Sequence, residues 1–351
     1  MTEKTDLLSL FPEELRDLLK DRGIPGYRAG QIYAWLYRGV RSFDEMTDLP
    51  QDLRRRLGEW FDAVSFRDEA CVASRLDETR KYLFTLADGE YVESVLLSYK
   101  HGYSVCLSTQ AGCRMGCRFC ASTGAGFSRN LSPSEILEQI AAITRERRGE
   151  DPDFRVSHVV LMGIGEPLDN YDNVIRFLKL VNRKEGFGIS YRNISLSTCG
   201  LVPRIRDLAR EALPVTLSVS LHAPDNALRD SMMPVNRRYP LEELIPACRD
   251  YTRETGRRIS FEYALIHGVN DTDRCAGELI SLLSGWMNHV NLIPVNETKG
   301  SGFHAGSRKE LLAFQSKLEK GGLNATIRRT LGADIAAACG QLRRKKGEQK
   351  G

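Results

Sequence analysis

From about residue 100 onward, short extended apolar runs alternate with amphipathic stretches six times over, and no other feature constrains the fold as strongly. The extended runs are Ser104–Ser108, Ser157–Met162, Asn193–Ser197, Val215–Ser220, Ser260–Leu265 and Val290–Pro294. The helical ones fall around 134–148, 171–183, 204–212, 241–255, 273–285 and 308–320. A strand followed by a helix, repeated in series, buries both only as a parallel sheet covered by its helices. The sequence therefore predicts an α/β fold with six βα units curved into a full or partial barrel, whose functional residues lie at the strand ends. Local signals agree. Ser132, Pro133 and Glu135 have the order of a helix cap, a first-turn proline and a capping-box glutamate, and Ser307 with Glu310 repeats the spacing.

The residues before this series differ in pattern. Amphipathic stretches at Pro12–Lys20, Arg28–Tyr37 and Leu49–Phe61, with a turn at Gly23 to Gly26, predict a small helical accessory domain over 1–62. Residues 63–98 carry short strand-like runs broken by Asp88 and Gly89, a hairpin signal. The barrel is expected over 99–331, and a C-terminal segment with a basic tail over 332–351.

Composition narrows the setting. With 42% hydrophobic residues in 351, a sizeable core is available, and no run approaches the roughly 18 apolar residues of a membrane helix. Met1 to Leu10 contains Glu3, Lys4 and Asp6 and no small-residue cleavage site, so a cytoplasmic location is expected. Fifty basic and 46 acidic residues leave a net charge of +4, too small to identify a partner. Nine cysteines, an odd number in a reducing compartment, point to metal or redox chemistry rather than a disulfide framework.

Three of the nine stand in the spacing Cys-x3-Cys-x2-Cys at Cys113, Cys117 and Cys120, just after the first candidate barrel strand. Thiolates hold iron–sulfur clusters, usually four at a time. Three ligands would leave one iron of a four-iron cluster open to bind and reduce something, by the logic of an open catalytic metal site. A zinc knuckle, or an electron-carrying cluster completed by Cys106, would use the same residues differently.

On this motif the sequence resembles the radical S-adenosylmethionine enzymes. Further stretches narrow the resemblance to the RlmN/Cfr family of RNA adenine methyltransferases, and within it to RlmN-like members. These are Gly163 to Leu168, Ser197 to Gly200, Ser220 to Pro224, Asn291 to Asn296, Asp334 to Leu342, and the helical start at Tyr27 to Tyr33 and Ser42 to Met46. The match runs through nearly the whole chain. It implies a partial six-unit barrel, a 4Fe–4S cluster on Cys113, Cys117 and Cys120, and S-adenosylmethionine contacts from Gly165, Glu166, Ser197, Ser220, Leu221, His222 and Asn296.

The resemblance also implies a mechanism. Adenine C2 is electrophilic, so polar methyl transfer to it is unfavourable. Cys339 would take a methyl group from one S-adenosylmethionine, and a second would be cleaved to a 5′-deoxyadenosyl radical that removes hydrogen from that methyl. The resulting carbon radical would add to the base. Cys106 would then release the product by forming a disulfide with Cys339, and Glu93 would take the adenine C2 proton. By its strand pattern alone, Glu93 would face solvent. The implied partners are 23S rRNA, transfer RNA and an external one-electron reductant such as flavodoxin, and the chain is expected to be a monomer. Methylation at adenine C8, a radical activase acting on a partner protein, and an electron carrier are the alternatives. Cys71, Cys199, Cys248 and Cys275 read as structural thiols. Basic residues at 54–56, Arg114, Arg118, 237–238, 257–258, 328–329 and 343–346 are the candidates for RNA phosphate contacts.

Overall fold

The computed structural model describes residues 5–124, 126–296, 302–337 and 341–342; Cys339 and the basic residues 343–346 lie outside the described residues. At the N-terminal end, β1 (Thr5–Asp6) leads into helices α1 (Pro12–Asp21), α2 (Arg28–Arg38) and α3 (Gln51–Trp60), and β2 (Phe61–Asp62) returns to pair with β1. Helix α1 starts where proline costs no hydrogen bond. There Glu14 accepts from the Phe11 amide at 2.7 Å and Glu13 and Glu14 meet the positive end of the helix dipole. Leu15, Leu19, Ile32, Leu36 and Leu57 fill the space between the three helices.

The rest of the chain is organised by one sheet. Strands β3 (Phe66–Ala73), β4 (Arg80–Leu86) and β5 (Tyr91–Tyr99) run antiparallel, and β5 pairs antiparallel with β6 (Gly102–Cys106). The segment that reads as a hairpin in the sequence is thus hydrogen-bonded directly to the first barrel strand. A short hairpin of β7 (Gln110–Gly112) and β8 (Phe127–Asn130) brackets the cysteine loop. The alternating series follows: α4 (Pro133–Arg148), β9 (Val156–Leu161), α5 (Tyr171–Val181), β10 (Ile194–Thr198), α6 (Val202–Arg210), β11 (Thr216–Ser220), α7 (Asn226–Met232), α8 (Leu241–Thr255), β12 (Ile259–Leu265), α9 (Asp273–Leu283), β13 (Asn288–Pro294), α10 (Arg308–Lys320) and β14 (Ala325–Ile327).

Every strand and helix of the six expected units falls within two residues of its predicted ends. The sheet order is β14-β13-β12-β11-β10-β9-β6-β5-β4-β3, parallel from β14 to β6 and open at both edges, which is a partial barrel extended by an antiparallel wing. The sequence reading did not include α7 or the edge strand β14; three residues are too few to show an alternation. Among the described residues no helix is long and apolar enough to cross a membrane.

Helix α4 shows how the accessory helices are fixed. It lies between the sheet and the N-terminal helices and is buried continuously from Pro133 to Thr144. Its polar side chains there must find partners inside the protein. Glu135 caps Ser132 and forks onto Arg129 at 2.7 and 2.8 Å. Glu138 accepts from the Ser65 amide at 2.5 Å, and Gln139 joins Ser94 on β5 to Ser108 beyond β6. Arg145, one turn further on, donates to the Gly39 carbonyl at 2.6 Å.

Candidate active site

The parallel strands deliver polar residues to one cavity at their C-terminal ends, the place where small-molecule sites form in such sheets. Cys113, Cys117 and Cys120 line one wall. Gly165 and Glu166 follow β9, Ser197 ends β10, Ser220 and His222 come from the end of β11, and Asn296 follows β13. Leu221 does not line the cavity. Its side chain is fully buried in the main core, and its main chain ties β11 to β12 by donating to the Glu262 carbonyl at 3.0 Å.

The cysteine loop is held at both ends. Gly112 has a φ of 81°, and a Cβ there would sit 1.8 Å from the Gly126 carbonyl, so only glycine lets β7 approach β8. Arg114 pairs with Asp169 at 2.9 Å while its guanidinium lies over the Phe127 ring, and the Arg118 amide donates to Met232. Burial pushes the Cys113 thiol up to about 12, and burial together with its two neighbouring thiols pushes Cys117 well above the usual thiol value. Three neighbouring thiols, two of them buried, become a workable set of thiolates only around a cationic centre that replaces their protons. The donor set and the glycine-containing loop fit an iron–sulfur cluster.

Opposite the loop, Gly165 has a φ of 109° and its missing Cβ would lie 2.6 Å from the Gln110 side chain. That contact lets Gln110 accept from the Glu166 amide at 2.9 Å while donating to Asn130 and Asp169. The Glu166 carboxylate is buried, which pushes its pKa up. It accepts from the amides of Cys199 at 2.7 Å and Leu168 at 3.0 Å, which oppose that shift. His222 adopts a left-handed backbone with φ 58°. Its Nδ1 accepts from the Ala264 amide at 2.8 Å, and burial, reinforced by Arg229, pushes its pKa down to about 3. The ring is therefore neutral, with Nε2 carrying the proton.

Four residues that sequence reasoning did not single out hold these strand ends in register. Arg229 on α7 is fully buried and donates to the carbonyls of Cys199, Ser220 and Leu221 and to Asn236. Asn270 donates to the carbonyls of His222 and Ala264. Glu262 lines the cavity and accepts from Asn291 at 2.7 Å. Gln110 is the fourth. Each works through contacts with residues distant in the chain, and a single polar residue carries no local signal of that.

A second, smaller cavity adjoins the first, with Met162, Ile293, Asn296 and Arg328 lining both. Cys106 lines it, buried at the end of β6, together with Leu331, Ala337 and Leu342 from the C-terminal segment. Glu93 is buried, not solvent-facing: its face of β5, shared with Val95 and Leu97, is covered by Ala337 and Leu342 of the C-terminal segment. The side-chain alternation along β5 puts it on the face shared by Val95, which is the register partner of Cys106. Lys81 on β4 pairs with it at 3.4 Å. Of the four thiols read as structural, Cys199, Cys248 and Cys275 are buried, whereas Cys71 is exposed on the edge strand β3. Several candidate RNA-contacting arginines are engaged internally. Arg55 pairs with Asp52 and Glu59, Arg54 donates to the Asp44 carbonyl, and Arg328 reaches the Met162 sulfur at 3.4 Å.

Comparison with known proteins gives the same outline. Residues 107–276 match the family model described as the radical SAM superfamily, and residues 5–62 match the ribosomal RNA large subunit methyltransferase N-terminal domain. A protein of Lachnospira eligens named "Probable dual-specificity RNA methyltransferase RlmN" is 51% identical over 342 residues, covering 97% of this chain and 96% of its own. One of the same name from Pelotomaculum thermopropionicum is 55% identical over 336 residues, 94% of this chain and 89% of its own. The crystal structure of a radical SAM methyltransferase from Sphaerobacter thermophilus superposes with a TM-score of 0.93 at 44% identity, covering 97% of this chain and all of that one. With both family models matched and full-length relatives at about half identity, the chain belongs to the RlmN family of radical SAM methyltransferases.

Proposed function

We propose that the chain methylates C2 of an adenine in 23S rRNA, at the peptidyl transferase centre, and of the adenine 3′ of the anticodon in transfer RNA, through a methyl group carried on Cys339. The observation that supports this reading most is the pair of adjoining cavities. One collects the cluster cysteines and the strand-end polar groups, the other holds Cys106, and the C-terminal segment that leads to Cys339 lines the second.

In this reading Cys113, Cys117 and Cys120 hold a 4Fe–4S cluster. Gly165, Glu166, Ser197, Ser220, His222 and Asn296 hold S-adenosylmethionine, and Leu221, which the resemblance also implied, is left out because it does not line the cavity and its main chain is engaged with Glu262 and Arg229. When bound, cluster and S-adenosylmethionine supply the methyl group and the hydrogen-atom abstraction, with two S-adenosylmethionine molecules used per turnover and an electron from a flavodoxin-type reductant. The protein does the rest. Neutral His222 leaves an N–H donor at the cavity wall, and the buried Glu166 presents a carboxylate already fixed by two amides. The Cys339 sulfur accepts the methyl group; once the carbon is joined to the base, Glu93 would take the C2 proton and the unpaired electron of the adduct would pass back to the cluster that Cys113, Cys117 and Cys120 would hold. The Cys106 thiolate then attacks the Cys339 sulfur. The bond from that sulfur to the product breaks with its electron pair left on carbon, a proton completes the methyl group, and a disulfide remains to be reduced.

We assign RNA binding to the N-terminal helical domain, whose residues 5–62 match the family model, with its arginines exchanging internal carboxylates for phosphates. Exposed pairs of this kind are worth at most about 1 kcal/mol, so the exchange is inexpensive.

Replacing Cys339 with alanine is expected to abolish RNA methylation while the reductive cleavage of S-adenosylmethionine, followed as 5′-deoxyadenosine, continues. Replacing Cys106 with alanine is expected to leave RNA covalently attached to the protein on a denaturing gel. Methylation by the Cys339→Ala chain would contradict the reading.

A further inference from the structure

The C-terminal segment runs back across the molecule to a turn far from it in sequence. Asp334, exposed in a short turn of helix at Ala333–Ile335, accepts from the Ser74 hydroxyl at 2.7 Å with one oxygen. Its other oxygen accepts from the Arg75 amide at 2.8 Å. The Gly332 amide donates to Asp77 at 3.0 Å. All of these partners belong to the turn between β3 and β4, which is pre-set to receive them. Ser74 also accepts from the Leu76 and Asp77 amides, Asp77 accepts from the Thr79 amide, and the Ser74 amide closes the turn onto the Thr79 carbonyl.

On the far side of the segment, Lys81 shares its ammonium between the Ala336 carbonyl, at 3.5 Å, and the Glu93 carboxylate. Ala336 sits in the left-handed region with φ 49°, a conformation that costs energy for a residue with a Cβ and persists only when its surroundings enforce it. Its neighbour Ala337 is thereby turned inward, into the apolar cluster of Val95, Leu97 and Cys106. The chain is tied again beyond residue 340. The Leu342 carbonyl accepts from the buried Ser122 hydroxyl at 3.0 Å, two residues past the last cysteine of the cluster loop.

We propose that the turn from Ser74 to Thr79 is a receptor for the chain's own C-terminal segment, and that Asp334 is a positioning residue whose contact with it delivers Cys339 to Cys106. The proposal rests on the reading of Cys339 and Cys106 as a reacting pair. It adds that the antiparallel wing has a task in the reaction: it carries Glu93 on β5 and supplies, at its outer turn, the fixed point from which the methyl-carrying cysteine is placed. A carboxylate suits that contact, because its two oxygens accept from two donors at once, whereas an amide has one oxygen and would oppose the second donor with its own N–H groups.

The test uses full-length, cluster-loaded protein without RNA. Anaerobic oxidised dithiothreitol takes the two electrons and two protons as Cys106 and Cys339 join, and peptide mass spectrometry follows the disulfide. With Asp334→Asn the rate of its formation is expected to fall about fivefold or more, in line with the loss of a charge-assisted hydrogen bond at a partly solvated site. Ser74→Ala is expected to act in the same direction, and the double variant to fall short of the product of the two single effects, since both substitutions act through the same turn. Iron content and reductive cleavage of S-adenosylmethionine are expected to stay at the level of the unaltered chain, while the methylated adenine formed per 5′-deoxyadenosine falls. An unchanged rate in Asp334→Asn, or fully additive effects in the double variant, would overturn the proposal. So would loss of iron and cleavage alongside the rate, which is the signature of general unfolding. If the unaltered chain forms no such disulfide, the reading of the cysteine pair itself fails, and the positioning role fails with it.

Discussion

At the scale of single residues, the site is held by buried polar groups that face the protein rather than the ligand. Arg229 is the clearest case. Its guanidinium is spent on three strand-end carbonyls and one amide oxygen, and burial holds its pKa below the usual arginine value. Replacing it with methionine keeps much of the volume and strands those acceptors, each of which costs about 1–3 kcal/mol when buried and unsatisfied. Denaturant unfolding of Arg229→Met is expected to show a loss of about 3 kcal/mol or more; a loss within 0.5 kcal/mol, the roughly neutral range of surface changes, would contradict the account of this residue. Nothing in the sequence around Arg229 announces this role. It stands in a short helix between Leu228 and Asp230, and only the fold brings Cys199 and Ser220 to it. The cysteine loop, by contrast, was legible at once, because three thiols at fixed spacing need no tertiary context to imply a shared centre.

At the scale of elements, the βα series was legible to within two residues because each strand is a short run in which apolar residues stand together or alternate with small polar ones, and each helix has one apolar face. Helix α4 is an exception in its packing. A glutamate at 138 would be read as solvent-facing, yet it lies against the Ser65 and Phe66 amides, and burial pushes its pKa up to about 7. With a folded value above the unfolded value near 4.5, the folded state retains a proton that the unfolded state has lost. The stabilisation is complete below about pH 4.5 and disappears as pH rises through about 7. At about 1.4 kcal/mol per unit, the contribution is of order 3 kcal/mol at most. Thermal unfolding of Glu138→Gln should therefore lack this loss, so that the variant gains on the unaltered chain between pH 5 and pH 8. A difference between the two that stays flat across that range would show that Glu138 titrates as an ordinary carboxylate. The hairpin at 63–98 was legible as strands, but its attachment was not. Pairing between β5 and β6 depends on register, which a sequence pattern leaves open when both faces are covered.

At the scale of the whole molecule, one open sheet links three things that are far apart in sequence. These are the accessory helices locked onto α4, the wing that carries Glu93 and the receptor turn, and the strand ends that gather the cofactor residues. The resemblance in sequence already pointed to this assembly, and the close relatives and the Sphaerobacter structure agree with its outline. The division of the C-terminal half into two adjoining cavities was not legible, since it arises from Met162, Ile293, Asn296 and Arg328, which come from strands β9, β13 and β14 or their ends. The central claim concerns which carbon of which base receives the methyl group. It is tested most directly by incubating large-subunit ribosomal RNA and transfer RNA with the anaerobically reduced, cluster-loaded enzyme and methyl-labelled S-adenosylmethionine. The RNA is then digested to nucleosides for mass spectrometry. The account predicts labelled 2-methyladenosine from both RNAs; labelled 8-methyladenosine alone, or no labelled adenosine, would contradict it.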